Sequence, residues 1–290
     1  MEDSIEVLLP WKGVAALVWL VLFFTAERLR PAAREIPTRA AAPDTTPAPD
    51  TTPAPTAVSG GWWRVGRNLG LWLANVGLSP LVVLPVSLWA AGHHLGWRPE
   101  WWSGAPGLAL DIVLLDFLIY WWHRANHVVP LLWRFHEVHH LDRFLDTTTA
   151  LRFHFGEVLL SALARAAVIA LLDVPFTSIV AFETLVLAAA LFHHSNLALP
   201  GGLERALSKV VITPSIHWVH HHARQQDTDS NYGTIFSFWD PPFGSKSPTQ
   251  RTLDMPIGVE ARVERPFPHL LLRPFLSRDR RAEPAARRVA

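Results

Sequence analysis

Five long apolar segments alternate with polar stretches along this chain of 290 residues. The first segment, residues 8–25, is apolar apart from Lys12 and approaches the length of a membrane-crossing helix. It has neither a basic start nor a small-residue cleavage site. We therefore predict a membrane anchor in residues 1–29 rather than a removed signal peptide.

Two further segments predict complete membrane spans. Residues 69–91 contain no charge, and residues 106–122 carry only Asp111 and Asp116. Arginines flank the loop before the 69–91 span, and positive residues favour the cytoplasmic side. This orientation places His123, which directly follows the 106–122 span, at the cytoplasmic face.

The last two apolar segments, residues 158–172 and 176–192, are short for complete spans. They predict either two crossings or a hairpin that dips into the bilayer, and both readings stay open. The short linker between them makes them antiparallel neighbours, and reflection about Val174 sets Arg165 opposite Glu183. We predict that these two residues form an ion pair, because an isolated charge in hydrocarbon is costly.

The remaining segments are polar or of low complexity. Residues 30–60 contain a repeated Pro-Asp-Thr-Thr-Pro-Ala unit and predict a disordered linker. Residues 61–250 form the predicted membrane-embedded domain. Residues 251–290 are a predicted cytoplasmic tail, whose basic end at 278–288 would lie near anionic lipid. The predicted fold class is all-α, an integral-membrane helical bundle with a cytoplasmic histidine-rich helical cap.

Composition supports a membrane protein and restricts the chemistry. Half of the residues are hydrophobic, only 18% are charged, and there are 14 Trp against 2 Tyr. The net charge of +1 is uninformative, and no basic stretch is long enough to argue for nucleic-acid binding. The absence of cysteine excludes disulfides, cysteine-ligated iron–sulfur clusters, thiolate-ligated haem and Cys-type zinc sites. Metal chemistry in a chain with 15 histidines must therefore use imidazole and carboxylate.

Histidines concentrate in three clusters. The first has two imidazoles at positions i and i+4, on one face of a helix. The other two share the spacing His-x-x-His-His, in which the first residue shares a helix face with both later ones. Three further histidines, His154, His193 and His194, stand at the mouth of the predicted hairpin. The cluster residues are His123, His127, His136, His139, His140, His217, His220 and His221.

Eight or nine imidazoles exceed what one metal ion needs, since a catalytic zinc takes about three protein ligands. The clusters therefore predict two ions. Ligand type alone does not choose between iron, zinc and copper. The position beside the membrane favours iron. A redox metal there can insert oxygen into the C–H bonds of lipids, which acid–base chemistry cannot do. The isolated histidines His93, His94, His222 and His269 are interpreted as surface or core residues.

The motifs resemble the fatty acid hydroxylase/sterol desaturase superfamily, in the order typical of that family. The resemblance implies an integral-membrane helical fold, a dinuclear centre taken as iron, and O2 as a substrate. It also implies electrons from a separate donor. The matching blocks lie at residues 116–124, 132–140, 152–157, 192–196, 213–221, 231–233, 239–240 and 243–244.

The resemblance also assigns residues. It implies His194 as a ninth ligand, with His193 able to replace or assist it. His154 is a possible additional ligand, although Phe155 follows it where the family often has Pro. Asn196 could hold a metal-bound water, and Asp116, two turns before His123, could orient an imidazole. The residues expected to support the ligands are Asp116, Glu137, Glu157, Asn196, Asn231, Tyr232 and Asp240.

We therefore predict an O2-dependent enzyme that hydroxylates, or secondarily desaturates, a sterol, a fatty acyl chain or another apolar lipid. The predicted cofactors are two iron ions, with zinc as a possible substitute and without haem or flavin. A ferredoxin or cytochrome-type reductase system would supply electrons. The predicted location is a multi-pass position in the membrane, the inner one if the source is bacterial, with a cytoplasmic active site.

Two alternatives remain open from the sequence. His136-Glu137-x-x-His140 also fits the zinc-protease motif, in which the glutamate is the general base, so a membrane-embedded zinc protease is one alternative. The other is a protein without enzymatic activity, namely a metal transporter, a sensor or a haem-carrying electron carrier. Transport would favour ligands in the middle of spans, whereas these clusters lie at span ends.

Overall fold

The computed structural model describes residues 2–33, 61–93, 95–260, 262 and 264–276, and its side chains are described from residue 11 onward. These residues are mostly helical and contain no strand, only isolated β-bridges. The all-α prediction is thus confirmed. The repeat-containing segment 34–60, the basic tail 278–288 and His94 lie outside the described residues.

Eleven α-helices are found in the described part of the chain, and π- or 3-10-helical turns join some of them. The helices are α1 Glu2–Leu29, α2 Trp62–Leu78, α3 Leu84–Gly92, α4 Gly104–Val128, α5 Pro130–His140, α6 Phe155–Leu172, α7 Phe176–His194, α8 Gly201–Leu207, α9 Pro214–His220, α10 Gln225–Thr228 and α11 Phe267–Leu272.

Four stretches are long and apolar enough to cross a membrane. α2 and α3 form one of them, because a π-helical turn at Ser79–Val83 joins them into a continuous helix. Pro80 and Pro85 lack the N–H groups that would continue the regular ladder there. The other three are α4, α6 and α7, so each arm of the predicted hairpin has the length and hydropathy of a crossing. α1 is not among the four, and its role as an anchor stays a prediction.

The α6–α7 hairpin turns at Asp173, which adopts a left-handed conformation with φ 51°. Its carboxylate accepts hydrogen bonds from the backbone N–H groups of Leu95 and Trp97, at 2.6 and 2.7 Å. Farther along the hairpin, Arg165 Nη2 lies 3.3 Å from Glu183 Oε1. The predicted ion pair is confirmed. Lys12 of α1 also contacts Glu183, so three elements share one charge cluster.

A sharp turn between α4 and α5 brings the first two histidine clusters together. Val129 is extended (φ −87°, ψ 116°), as expected for a residue before proline, and Pro130 opens α5. The turn ends α4 directly after His127 and Val128 and sends α5 back past its end. Beneath this junction the side chains of α4, α6 and α7 pack into an apolar core that includes Leu115, Ile169, Ile179 and Phe182.

Candidate metal centre

Nine histidines from α4, α5, α7 and α9 converge into two neighbouring groups. Within each group, one ring nitrogen of each histidine lies within 4.8 Å of the corresponding nitrogens of the others. The two groups contain the nine histidines that the sequence analysis named as ligands. The five-histidine group is His123, His127, His136, His140 and His220, and the four-histidine group is His139, His194, His217 and His221.

The His-x-x-His-His spacing divides each triplet between the two groups. On a helix, residues i+3 and i+4 flank residue i on either side, so their side chains diverge by about 100°. In α5, His140 joins His136 in the five-histidine group, whereas His139 enters the other group. In α9 the division is reversed, because His217 and His221 enter the four-histidine group and His220 the other. The two triplets therefore interlock.

Hydrogen bonds at Nδ1 orient six of the nine rings. Four of the acceptors are backbone carbonyls, which can only accept, so the proton must sit on Nδ1. That tautomer leaves a lone pair on Nε2, the nitrogen available to a metal. The contacts are His123 to Tyr232 O (2.9 Å), His139 to Arg152 O (3.1 Å), His194 to Ala190 O (2.8 Å), His220 to Ser230 O (2.6 Å), His136 to Glu157 Oε1 (2.7 Å) and His127 to Asp229 Oδ1 (3.4 Å).

The Nε2 atoms approach one another in a way that neutral imidazoles alone do not favour. His139 and His194 both carry the proton on Nδ1, yet their Nε2 atoms lie 3.1 Å apart. Two facing lone pairs repel unless a cation lies between them. Nitrogens bound at right angles to one ion, each at about 2.1 Å, lie about 3 Å apart. The other Nε2 pairs fit this spacing: His194–His217 at 2.9 Å, His217–His221 at 3.1 Å and His136–His140 at 3.2 Å.

Burial keeps these imidazoles neutral. It is the main cause that holds the pKa of His139 and His140 well below the usual range, and neighbouring imidazoles lower it further. Burial likewise lowers the pKa of His220 to about 3. A ring with such a pKa is uncharged at neutral pH, and the neutral ring is the form that binds metal. The donor set therefore suits transition-metal ions.

Glu157 accepts a hydrogen bond from the ligand His136 through its side chain, and the ring of Tyr232 packs beside His127 with centroids 5.1 Å apart. Tyr232 also supports His123 through its backbone carbonyl. Asp240 fixes that carbonyl, because its carboxylate accepts the N–H groups of Tyr232 (2.7 Å) and Gly233 (3.1 Å). Asn231 adopts a left-handed φ of 52° next to this site, and its side chain accepts the N–H of residue 247 at 3.0 Å. These residues brace the loop after α10.

Asp116 has a different role from the one predicted. Its carboxylate accepts the N–H groups of Ile235 (3.0 Å) and Phe236 (3.1 Å) and the indole N–H of Trp239 (2.9 Å). Seven residues of α-helix advance about 10 Å, too far for Asp116 to reach the ring of His123. Asp116 therefore anchors the loop that carries Tyr232 rather than orienting an imidazole itself.

Asn196 and Glu137 also depart from their predicted roles. The amide of Asn196 is engaged by Ala33, since Oδ1 accepts its N–H at 2.9 Å and Nδ2 donates to its carbonyl at 2.7 Å. It is thus not free to hold a metal-bound water. The carboxylate of Glu137 pairs with Arg262 (3.5 Å) and Arg273 (3.2 Å). It is not placed to act as the general base of a zinc protease.

The two possible additional ligands lie outside both groups. His154 caps the start of α6, where its Nδ1 accepts the N–H of Gly156 at 2.9 Å. Its Nε2 donates to the carbonyl of Leu271 at 3.0 Å, so neither nitrogen is free for a metal. His193 packs against His217, with ring centroids 4.0 Å apart, but joins neither group.

Sequence reasoning missed Asp229 and the backbone carbonyls. Asp229 lies near His127 in a polar run, residues 225–231, between the second triplet and Tyr232. An acidic residue so soon after a ligand triplet is a signal that could have identified it. The carbonyls of Arg152, Ala190 and Ser230 leave no such signal, because every residue has one.

Comparisons with known proteins point the same way. Residues 108–245, which include all nine histidines, match the family described as fatty acid hydroxylase. Ornithine lipid hydroxylase OlsE of Rhizobium tropici is 28% identical over 209 residues, or 72% of this chain and 62% of that protein. Alkylglycerol monooxygenase of Danio rerio is 32% identical over 147 residues, or 51% of this chain and 32% of that protein.

A cholesterol 25-hydroxylase-like protein of Danio rerio is 32% identical over 164 residues, or 52% of this chain and 63% of that protein. The chain thus spans less than two thirds of the length of each of these relatives. No solved structure matches it.

Proposed function

This chain belongs to the fatty acid hydroxylase superfamily through residues 108–245, and on that premise we propose an O2-dependent lipid hydroxylase with two histidine-bound iron ions. One observation carries the proposal. Nine imidazoles form two adjacent groups, and oriented, uncharged Nε2 atoms converge within each. Two such groups side by side favour two ions over the single ion of a hydrolytic zinc site.

The residues around the centre have defined tasks. The chemistry that iron supplies when bound is the activation of O2 for attack on an unactivated C–H bond. The imidazoles bind the ions, and the carbonyls of Tyr232, Arg152, Ala190 and Ser230 fix the ring orientations. Eight of the nine imidazoles are buried, which would keep bulk water away from the ions that they hold.

We propose a membrane lipid as the substrate, because four helical stretches of the described residues are long and apolar enough to cross a membrane, and two of them, α4 and α7, carry histidines of the centre near their ends. The relatives are named for ornithine lipid, alkylglycerol and cholesterol. Their names, hydroxylase and monooxygenase, favour hydroxylation over desaturation. Inserting one atom of O2 into the C–H bond and reducing the other to water takes two protons, which the solvent supplies, and two electrons. We assign the two electrons to an external ferredoxin or cytochrome-type system.

We further propose that the centre faces the cytoplasm, in the inner membrane if the source is bacterial. The arginines that flank the loop before α2 favour this orientation. α4 then crosses the membrane toward the cytoplasm and ends at its histidines.

Metal analysis combined with lipid profiling tests the proposal. The wild-type protein should carry two iron ions per chain, and cells that express it should accumulate a lipid heavier by one oxygen atom. His139→Ala and His220→Ala should each lose bound metal and abolish that product, since each removes a ligand from one group. The matched control His269→Ala, in α11 and outside both groups, should retain both. Full product formation by His139→Ala would overturn the proposal.

A further inference from the structure

The end of α1 contacts the metal-bearing part of the chain through one buried carboxylate. Glu27 is fully buried, and its Oε2 accepts two backbone N–H groups, those of Thr147 and Asn196, each at 2.9 Å. These two residues lie in different loops, one after α5 and one after α7. Glu27 therefore ties together two segments that are far apart in the sequence.

The segment after α7 is held at several further points. Ala32 donates its N–H to the carbonyl of Asn196 at 2.9 Å, and Pro31 forms an isolated β-bridge with Leu197. With the amide of Asn196 clamped on Ala33, residues 31–33 pair with this segment along its length. The pairing begins two residues after His194, a ligand of the four-histidine group.

The Thr147 segment leads to a second ligand of the same group. Thr147 opens the 3-10 helix Thr147–Leu151, and the next residue, Arg152, accepts the Nδ1–H of His139 through its carbonyl. Arg28 ties α1 to the same segment, with Nη2 3.1 Å from Asp146 Oδ2. One carboxylate thus fixes the segments that position both His194 and His139, whose Nε2 atoms lie 3.1 Å apart.

We propose that Glu27 is a positioning residue for the four-histidine group. α1 then forms part of the metal centre, although it lies outside residues 108–245, which carry the family match. This inference rests on the proposed function, in that it assumes an ion in each group. The five-histidine group does not depend on Glu27, because its rings are fixed by Glu157, Asp229 and the loop after α10.

Glu27→Gln isolates this role because it keeps the size of the side chain. Glutamine has one acceptor oxygen, and if this oxygen takes the place of Oε2, the amide nitrogen replaces Oε1 and faces Nη1 of Arg28, a second donor. If the amide turns the other way, both backbone N–H groups lose their acceptor, and in either orientation the charge that strengthens both hydrogen bonds is gone. The rings of His139 and His194 should lose their fixed separation, which weakens metal binding in that group.

The test is a chelator titration of the full-length protein in lipid nanodiscs, followed by measurement of bound iron per chain. In Glu27→Gln, the chelator concentration that removes half of one ion should fall about tenfold, while that for the other ion stays unchanged. Glu183→Gln is the matched control. It weakens the contact of α1 with α7 in the bilayer but leaves the segment after His194 untouched.

Double variants show which group is affected. Glu27→Gln added to His217→Ala should not lower the iron content below that of His217→Ala, because both changes act on the four-histidine group. Added to His140→Ala, it should lower the retention of the one remaining ion. Equal weakening of both ions, or no change in either, overturns the role of Glu27. A wild-type protein with fewer than two ions instead overturns the proposed function.

Discussion

The imidazoles of the two groups differ in what holds their Nδ1 atoms. In the five-histidine group, His136 donates to the carboxylate of Glu157 at 2.7 Å, and His127 lies 3.4 Å from that of Asp229. In the four-histidine group, Nδ1 of His217 and of His221 is buried with no hydrogen-bond partner, as is Nδ1 of His140 in the five-histidine group, but no carboxylate contacts a ring of the four-histidine group among the described residues. A carboxylate makes the imidazole a more basic ligand. The five-histidine group should therefore hold its ion more tightly.

Removing the charge of Glu157 tests this difference. Glu157→Gln should lower the metal affinity of the five-histidine group by about 10- to 100-fold, measured by competition with a chelator. The control is Glu137→Gln on α5, which exchanges a carboxylate that pairs with Arg262 and Arg273. It should leave metal affinity unchanged. Identical behaviour of the two variants would contradict the assigned role of Glu157.

Single residues could be predicted from the sequence where a helical repeat fixes their direction. The two His-x-x-His-His triplets are of this kind, because the repeat alone sets which faces the rings share. Asn196 and Asp116 were misjudged because their partners, Ala33 and Trp239, are far away in the sequence. A polar side chain near a ligand motif suggests metal chemistry, but both side chains are taken up by hydrogen bonds to distant segments: Asn196 to the backbone of Ala33, and Asp116 to the loop that carries Trp239.

At the scale of elements, a charge cluster joins α1, α6 and α7 within apolar surroundings. Glu183 accepts Arg165 at 3.3 Å and also contacts Lys12. Each of the three side chains is only 20–27% exposed. The cluster contains one negative charge and two positive charges. Removal of Glu183 would therefore leave both cations without a partner.

Replacing Glu183 should weaken the contacts between α1, α6 and α7. Glu183→Leu leaves two cations without their carboxylate, and we expect it to lower the free energy of unfolding by about 2 kcal/mol. Thermal unfolding in detergent, followed by tryptophan fluorescence, measures the loss. The triple variant Lys12→Met, Arg165→Met and Glu183→Leu should regain most of it, because no unpaired charge remains. A triple variant less stable than Glu183→Leu would contradict this account.

The hairpin was predictable because a three-residue linker leaves little freedom in how its arms pair. Reflection about Val174 therefore placed Arg165 and Glu183 correctly. The place of α1 was not predictable in this way. A long stretch, residues 30–60, separates it from α2, and nothing in the local pattern selects α7 as its neighbour. Lys12 could pair with any of several buried acidic residues, and only the tertiary fold brings it to Glu183.

At the scale of the whole molecule, the position of the centre relative to the membrane can be tested without disturbing it. The chain has no cysteine, so a single one can be introduced as a label site. Lys246 is exposed near the histidine-bearing loops, and Glu100 is exposed between α3 and α4. If the centre is cytoplasmic, an impermeant maleimide should label Glu100→Cys in intact cells.

Lys246→Cys should react with the same reagent only after the cells are permeabilised. The reverse pattern would place the centre outside the cytoplasm. Labelling of both sites in intact cells would show that residues 100 and 246 share one side, and it would contradict the proposed path of α4 across the membrane. Neither outcome bears on which residues bind the metal ions.

The interlocking of the two triplets has a consequence for biosynthesis. Each group takes a ligand from α9, His220 in one and His217 with His221 in the other. Neither group is complete until α9 has left the ribosome. All four apolar stretches precede α9 in the chain and have reached the translocon by then. If the two groups bind iron as proposed, the metal has to reach a polypeptide already threaded through the bilayer, so maturation would depend on a metal supply at the membrane surface.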